Sequence, residues 1–410
     1  MGITAAEVYQ LAARFGAKAV EEQSQMVAKF FDQKLDILDQ PGQTGYVNVK
    51  AGGVESTKFI ADAATLPSGD AVDVKQLFYT PKFLFSRLSL PRGGLELANG
   101  VKDGVRLLVE QLKSAAADVA RQRGRAVFNK SLGSPSSALQ TNTFFDIADV
   151  SGLKPGMTIE AWDPTNATAT PDQVAIIASI NWQSSGPLFG TDYRVNIVDS
   201  SGTPLQIITG GWGTNWNLYL QGSYDGTAAG GNGMVSLADV CANANLYGYA
   251  PSNDEWSGNV DTTTTSLSEG ALRTMHDQIR NRRGVEVDCI VMNPVTVTRY
   301  LNLSTDQRRF APGDALDKYG RLTPTFDGIE IFPDVNCGNK DVFFFNSDDV
   351  KLHRFRKFGP DTDGMRSPAL GASAAIVSST SFTYDIQMYE AMELRVTRRN
   401  GTGHMSAIAS

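Results

Sequence analysis

The sequence has few of the residues that disulfide frameworks and metal centres require. It contains three cysteines, Cys241, Cys289 and Cys337, and three histidines among 410 residues. The cysteines are far apart and odd in number, so neither zinc spacing nor a disulfide framework is indicated. A reducing compartment fits this usage best. We interpret the cysteines as small buried hydrophobic residues.

Long apolar runs and a basic excess are also missing. No stretch of about 18 apolar residues occurs, so no membrane-spanning helix is predicted. The first residues, Met1–Glu7, show no basic stretch followed by an apolar run, so we expect no signal peptide and synthesis in a cytoplasm. The net charge of −7 argues against tight, direct binding of nucleic acid, which normally needs a basic patch.

Motifs that carry chemistry are absent as well. No Gly-x-x-x-x-Gly-Lys-Ser/Thr loop occurs, and the glycine clusters 210–213 and 230–233 do not have dinucleotide-binding spacing, so both are interpreted as turns. His276, His353 and His404 lack ligand spacing and are expected to be surface or packed residues. No Gly-x-Ser-x-Gly elbow supports a hydrolase.

One acidic stretch, Asp361–Gly364, is similar to the middle of a calcium loop. Such a loop would need further ligands at the positions of Gly359 and Leu370, so a plain turn is favoured. We therefore predict no catalytic, cofactor-binding or metal-binding residue and no cofactor.

Length and composition predict a folded protein of more than one unit. Single hydrophobic cores stop growing near roughly 250–300 residues, and this chain exceeds that size. Hydrophobic residues at 41% and charged residues at 20% are ordinary for globular proteins. The 39 glycines indicate many turns and a β-rich component.

Residues 1–44 are predicted to form an N-terminal helical arm. Thr4 and Glu7 make a capping box, and apolar residues at helical spacing continue to Phe31, ending before Pro41. Arms of this kind often pack on a partner.

Residues 45–97 are predicted to form an extended β-hairpin. Val47 and Val49 alternate with polar residues, and turn residues occur at 67–69. Large apolar residues are scarce, and two isolated strands are marginally stable in water. We therefore expect the hairpin to need a neighbouring molecule.

Residues 98–136 predict a long helix with one apolar stripe. Acidic residues lie early and basic residues late, which complements the helix dipole. Gly133–Pro135 ends the helix. The late basic cluster is either a solvated helix end or a contact for nucleic acid or an acidic partner: Arg121, Arg123, Arg125 and Lys130.

Residues 137–236 differ in composition and predict an inserted all-β domain, a small barrel or sandwich. Lys154 and Arg194 are the only basic residues in this range, against eight acidic ones. Short alternating strands are separated by turn signals. Four tryptophans either fill the core of this domain or stack on sugars: Trp162, Trp182, Trp212 and Trp216.

Residues 237–410 alternate between helical and strand patterns. Ser266 and Glu269 form a second capping box, and Leu272, Met275 and Ile279 follow at helical spacing. Asn293 caps a helix that starts with Pro294. Strands are predicted at residues 288–292, 328–331, 341–346, 350–355 and 382–396.

The order of these elements resembles the tailed-bacteriophage major capsid protein family, which has the Hong Kong 97-type fold. The stretches Val291–Pro294, Thr325–Ile331 and Arg395–Gly401 are similar to steps of that fold. The resemblance implies an α+β chain with a helical arm, an extended hairpin loop, a spine helix and an axial α/β domain. The β-domain of residues 137–236 departs from the minimal pattern as an insertion.

The resemblance also implies a function. The chain would be a structural major capsid protein, not an enzyme. It would self-assemble into hexamers and pentamers of an icosahedral shell around double-stranded phage DNA, without sequence-specific DNA binding and without a membrane. Its partners would be copies of itself, a portal, and scaffolding, protease or decoration proteins. The virion capsid would be its location, after assembly in the bacterial cytoplasm.

Some members of that family cross-link their shells through Lys–Asn bonds. Lys58, Lys75 and Lys82 lie in the hairpin range, but nothing in the sequence identifies a partner asparagine or glutamate, so no cross-link is predicted. Two alternatives stay open. One is an encapsulin-like shell that stores a protein cargo. The other, from a different class, is a carbohydrate-binding surface protein that uses the tryptophans.

Overall fold

The computed structural model describes residues 34–50, 74–91, 101–136, 142–150, 152–163, 171–182, 193–207, 216–224, 232–251, 256–282, 286–303, 324–360, 375–377 and 383–408. Its helices are α1 (Val101–Phe128), α2 (Leu237–Cys241), α3 (Glu269–Asn281) and α4 (Pro294–Leu303). Its strands are β1 (Ile37–Asp39), β2 (Gly45–Lys50), β3 (Val74–Tyr79), β4 (Lys82–Pro91), β5 (Phe144–Ile147), β6 (Thr158–Trp162), β7 (Gln173–Trp182), β8 (Tyr193–Val198), β9 (Asn217–Leu220), β10 (Asn259–Asp261), β11 (Cys289–Met292), β12 (Thr325–Phe326), β13 (Ile329–Pro333), β14 (Val342–Phe345), β15 (Val350–Pro360), β16 (Ala375–Val377), β17 (Thr383–Val396) and β18 (Gly403–Met405).

A six-stranded sheet in the order β10-β18-β14-β11-β13-β12 separates two hydrophobic cores. β11 is parallel to β13 and antiparallel to β14, and all four of its residues are buried. Because successive side chains of a strand point to opposite faces, Cys289 and Val291 enter one core while Ile290 and Met292 enter the other. A strand covered on both faces has a continuous apolar sequence.

α3 covers one face of this sheet. Its buried residues include Leu272, Met275 and Ile279, as the helical spacing predicted. The predicted cap is wrong by two residues. The hydroxyl of Ser268, not of Ser266, accepts the N–H of Ala271 at 3.1 Å, because Glu269 is already the first residue of the helix.

α4 begins where the sequence predicted. Asn293 precedes it, and its side-chain oxygen accepts the N–H of Val295 at 3.0 Å. The Asn293 amide also donates to the carbonyl of Cys337 at 2.8 Å, which ties the start of the helix to the loop after β13. The tight turn between β12 and β13 uses left-handed backbone at Asp327 and Gly328 (φ 52° and 83°).

β17 is the centre of a second sheet. It pairs antiparallel with β15 along one edge and with β4 along the other, from Thr383 opposite Pro91 to Met392 opposite Lys82. This placement corrects the predicted hairpin of residues 45–97. Among the described residues of this range, β2 pairs with β3, whereas β4 pairs with β17. Leu84 of β4 packs on the main core, which holds this strand beside β17.

The predicted arm of residues 1–44 also differs at its end. Residues 37–39 are not helical but form β1, which pairs in parallel with β15. Leu35 is buried and Ile37 packs on the same core, which draws this segment into the sheet. The capping box of Thr4 and Glu7 lies outside the described residues.

The β-rich segment between α1 and α2 is a nearly closed barrel. Its five antiparallel strands follow the order β5-β8-β7-β6-β9 around a core of their own. The chain leaving α1 bridges the two edge strands: Leu132 donates its N–H to Leu218 of β9 at 2.7 Å, and Ser136 donates to Asp146 of β5 at 2.7 Å. At these points the two edge strands bond to the protein's own backbone.

Candidate assembly surface

The hairpin formed by β2 and β3 packs on the main core of its own chain. Four of its inward side chains, Val47, Val49, Leu77 and Tyr79, are buried in that core. The prediction that the hairpin lacks core residues is therefore wrong for its base. In β2 buried and exposed residues alternate strictly, and in β3 Leu77 and Tyr79 are buried. The sequence alone underestimated these inward positions, because valines are small and their burial depends on the core on which the strand packs.

A buried polar chain fixes the hairpin base. The Tyr79 hydroxyl lies 2.9 Å from Nδ1 of His353, and Nε2 of His353 lies 3.0 Å from the carbonyl oxygen of Gln40. A carbonyl only accepts, so Nε2 carries the proton and Nδ1 accepts the tyrosine O–H. Burial raises the pKa of Tyr79 to about 12 and lowers the pKa of His353, so both groups are neutral in the fold.

Gly45 makes room for this tyrosine. Gly45 pairs with Tyr79 across the hairpin. A Cβ atom at position 45 would lie 2.3 Å from the Tyr79 ring. The close approach of backbone and ring therefore requires glycine at the start of β2.

The opposite face of the hairpin is exposed and carries large apolar side chains. Tyr46 and Phe78, directly paired across the strands, are each 59% exposed, and Val74 is 52% exposed. Asn48, opposite Gln76, and Lys50, opposite Val74, complete this hairpin outer face. Isolated exposed hydrophobic residues are common, but a cluster on one strand face marks an interaction site.

A second exposed apolar cluster follows directly along the chain. Phe83 and Phe85 of β4 are 52% and 63% exposed, and their rings lie 6.0 and 5.2 Å from the ring of Tyr389 on β17. The guanidinium of Arg356 lies 4.0 Å over the Tyr389 ring, a cation–π contact. We call Phe83, Phe85 and Tyr389 the aromatic patch.

Two residues of the basic cluster at the end of α1, Arg123 and Lys130, form ion pairs within the chain. Nη1 of Arg123 lies 3.4 Å from both carboxylate oxygens of Glu390, and both side chains are buried. Lys130 pairs with Asp239 at 3.2 Å. The interpretation of this cluster as a solvated helix end or a nucleic-acid contact is therefore wrong for these residues, which hold the helix on β17 and α2.

Arg125 from the same cluster turns towards the barrel. It contacts Asp149 at 3.4 Å and donates to the carbonyl of Leu132 at 3.1 Å. Gly152 gives it space, since a Cβ there would lie 2.4 Å from the arginine Cδ. The sequence did not indicate this role, because Asp149 and Gly152 are separated from Arg125 along the chain and meet it only in the fold.

Glu393 is buried at the junction of these elements. One carboxylate oxygen accepts the N–H groups of Val235 at 2.7 Å and of Leu394 at 3.0 Å. Burial raises the pKa of Glu393 to about 8, although the two N–H donors and nearby Lys130 and Lys82 act in the opposite direction. No feature of the sequence marked this residue.

The tryptophans do not form one group. Trp162 is buried, and its ring lies 5.0 Å from that of Tyr224. Trp216 packs partly buried on the barrel core, whereas Trp182 is 53% exposed at the end of β7, edge-on to Tyr193 at 4.7 Å. The core-filling interpretation is wrong for Trp182, and Trp212 lies outside the described residues.

The histidines and cysteines are internal. His276, His353 and His404 are all buried, with His404 Nε2 2.8 Å from Asp341. The three cysteines are buried, and burial raises the pKa of Cys241 and of Cys289 to about 12. Among the described residues no group of three or more potential ligands could hold a metal ion. The Asp361–Gly364 stretch lies outside them.

No described helix is long and apolar enough to cross a membrane.

Comparison with solved structures gives the fold. The capsid asymmetric unit of cyanophage A-1(L) matches with a TM-score of 0.53 at 10% identity, over 94% of this chain and 93% of the other. The capsid of the native GTA particle matches with a TM-score of 0.48 at 9% identity, over 92% and 89%. The SrpI encapsulin of Synechococcus elongatus matches with a TM-score of 0.45 at 10% identity, over 92% and 85%.

No protein-family model and no curated protein sequence matches the chain. The fold assignment therefore depends on the structural likeness to the cyanophage capsid, together with the order of elements described above. The chain has the Hong Kong 97-type capsid fold that its sequence pattern predicted.

Proposed function

We propose that the chain is a major capsid protein of a tailed bacteriophage, which self-assembles into hexamers and pentamers of an icosahedral shell around double-stranded DNA. The hairpin lies over a neighbouring subunit, and the domain built on β11 and β13 meets its copies around the five- and six-fold axes. The β-barrel between α1 and α2 is an insertion that faces away from these contacts.

One observation carries the proposal: the hairpin is anchored on its inner face and exposes aromatic residues on its outer face. Tyr46 and Phe78 are each 59% exposed and are not part of the main core. Aromatic side chains of this size are typical anchors of protein interfaces. Heterologous contacts between identical subunits close into rings when the rotation between subunits permits it.

The direct test is electron microscopy of the purified full chain, with light scattering to give the particle mass. We expect closed particles or hexameric and pentameric rings. A monodisperse monomer over the concentration range in which shells normally assemble would contradict the proposal.

An encapsulin-like shell is the alternative that shares this fold. The two differ in what the particle contains, so particles isolated from the native source decide between them. Nuclease-protected double-stranded DNA supports the capsid, and a single co-purifying protein species inside DNA-free shells supports cargo storage.

The proposal also includes partners other than the chain itself. A capsid would meet a portal, and scaffolding, protease or decoration proteins during assembly. A decoration protein would contact side chains of the β-barrel, with the exposed Trp182 edge-on to the half-buried Tyr193.

A further inference from the structure

The imidazole of His353 connects the segment of residues 34–40 to the base of the hairpin. His353 belongs to β15, and its side chain lies between the two elements. Its Nε2 atom lies 3.0 Å from the carbonyl oxygen of Gln40, and its Nδ1 atom lies 2.9 Å from the hydroxyl of Tyr79. The ring also stacks on Phe355 at 3.9 Å, which holds its plane. Both ring nitrogens are thereby paired.

The direction of these two hydrogen bonds makes one depend on the other. Burial lowers the pKa of His353, so the ring is neutral and carries a single N–H. Because a carbonyl oxygen only accepts, Gln40 keeps the proton on Nε2 and leaves Nδ1 as the acceptor for Tyr79. Without that carbonyl nothing fixes the proton on Nε2, and the buried Tyr79 hydroxyl loses its assured acceptor. A buried hydroxyl without a partner is unfavourable.

The segment of residues 34–40 is weakly held. Its strand β1 has three residues, lies at the edge of its sheet and pairs with β15 alone among the described strands. Leu35 and Ile37 are its contacts with the main core. Its ion pairs have partly exposed acidic side chains and contribute little: Lys34 with Glu330, Asp36 with Lys351 at 3.1 Å, and Asp39 with Arg354 at 2.6 Å and with Lys357 at 3.3 Å. Short edge elements with few buried contacts open more readily than core strands.

Tyr79 is a fixed point of the hairpin. It is the last residue of β3, and its ring lies 5.2 Å from that of Tyr247 and 6.2 Å from that of Phe355. Gly45, the first residue of β2, lies against the same ring. A shift of the Tyr79 ring therefore moves the ends of both strands. Residues 41–44, all exposed, separate the segment from β2 along the chain.

We propose that Gln40, His353 and Tyr79 form a latch, which couples the segment of residues 34–40 to the hairpin within one subunit. The segment, when it lies on β15, fixes the proton of His353, and this proton position holds Tyr79 and the hairpin base. Release of the segment loosens the hairpin. Because coupling between two sites is reciprocal, loss of the Tyr79 hydrogen bond also weakens the seating of the segment. The latch belongs to the single chain, so it goes beyond the proposed function and its test needs no assembly.

Hydrogen exchange of the unassembled full chain, followed by mass spectrometry, tests the latch in both directions. Leu35→Ser removes the buried anchor of the segment and leaves the three latch residues unchanged. Tyr79→Phe removes the hydroxyl and keeps the ring. We expect Leu35→Ser to speed exchange in β2 and β3, and Tyr79→Phe to speed exchange of the Gln40 amide, which donates to Arg354, by about fivefold or more in each case.

The double variant separates the latch from a general loosening of the core. Leu35 and the inward residues of the hairpin belong to the same core, so part of the effect of Leu35→Ser needs no latch. Once Tyr79→Phe is present, we expect Leu35→Ser to change hairpin exchange by no more than about twofold further. Tyr219→Phe, which removes a buried hydroxyl from the barrel, is the matched control and should leave both elements at wild-type rates. Equal effects of Leu35→Ser in both backgrounds would contradict the latch.

The tautomer of His353 gives a readout that a merely structural role would not move. The chain has three histidines, so ¹⁵N labelling of histidine gives few signals, and His353→Gln identifies the signal of His353. We expect the Nε2–H tautomer in the wild type and a mixture of both tautomers in Leu35→Ser. An unchanged Nε2–H signal in Leu35→Ser, with the Gln40 amide exchanging faster than in the wild type, would overturn the proposal.

Discussion

At the scale of the residue, buried charged side chains are held by groups from distant segments. Arg399 is the clearest case. Its guanidinium donates to the carbonyls of Val240 at 2.8 Å, Ala244 at 2.7 Å and Asp239 at 3.0 Å. Carbonyls at the end of a short helix lack partners within the helix. One arginine satisfies several of them and joins α2 to the segment after β17.

The buried pair of Arg123 and Glu390 gives a stability prediction. Arg123→Met leaves a buried carboxylate without its arginine, so the free energy of unfolding should fall by about 3–5 kcal/mol. Replacing both residues by methionine should recover most of that loss, because no buried charge remains. Urea unfolding of the unassembled variants measures this. A double variant as unstable as Arg123→Met would contradict the explanation.

Glu393 gives a prediction of pH dependence. In the unfolded chain its pKa returns to about 4.5, whereas in the fold it is about 8. The folded protein therefore binds more protons between these values, so the stability that this group contributes is present below pH 4.5 and is lost as the pH rises through 8. The free energy of unfolding should fall by at most about 1.4 kcal/mol per pH unit in this range.

Glu393→Gln should remove this dependence. The amide oxygen can accept the same N–H groups of Val235 and Leu394, and it cannot ionise. Urea midpoints at pH 5, 7 and 9 should fall more steeply for the wild type than for the variant. Glu286→Gln, an exposed site, is the control and should follow the wild type. Parallel curves for wild type and Glu393→Gln would be the contrary result.

At the scale of the element, the hairpin of β2 and β3 has two different faces. The inner face gives the chain its stability, since four of its side chains lie in the main core. The outer face, with Tyr46 and Phe78, is exposed in the single subunit. Substitutions on the two faces should therefore affect different measurements.

The double variant Tyr46→Ser, Phe78→Ser tests this division. An exposed cross-strand pair contributes roughly 0.2–1 kcal/mol, so the unassembled variant should unfold close to wild type. Loss of two aromatic anchors from an interface costs roughly 2 kcal/mol or more per contact. The concentration needed for assembly, followed by light scattering, should rise by more than about tenfold.

Val174→Ser is the control for that experiment. Val174 is 42% exposed on the barrel, away from the hairpin. It should assemble as the wild type does. Normal assembly of the double variant would show that the hairpin outer face is not an interface.

At the scale of the whole molecule, the net charge is the feature that bears on contact with DNA. The chain has 44 acidic residues against 37 basic ones, and three of the basic residues near the end of α1 are already paired internally. Such a balance suits the proposed function, in which the shell must not immobilise the DNA that it encloses. A basic surface would instead bind duplex DNA through its phosphates.

We therefore expect weak binding of duplex DNA by the unassembled chain. The Kd at physiological salt should be about 10⁻⁴ M or weaker, at the limit of non-specific binding. Fluorescence anisotropy with a labelled duplex measures it. Binding in the micromolar range or tighter would contradict this view of the shell interior.

The sequence by itself determined the elements whose signals are local. The stripe and charge order of residues 101–128 predicted α1, the Asn293–Pro294 step predicted α4, and alternation over 382–396 predicted β17. Their order along the chain carried the resemblance that implied the fold. Such features follow from backbone propensity and side-chain periodicity, which act between near neighbours.

Only the tertiary structure decided the features that depend on distant residues. Whether Arg123 is solvated depends on Glu390, far along the chain, and whether β4 continues the hairpin depends on the edge that β17 offers. The bonds that residues 132–136 make to both edge strands of the barrel have the same origin. Burial and strand pairing are properties of the folded chain, because they depend on which segments meet and not on the pattern of any one segment.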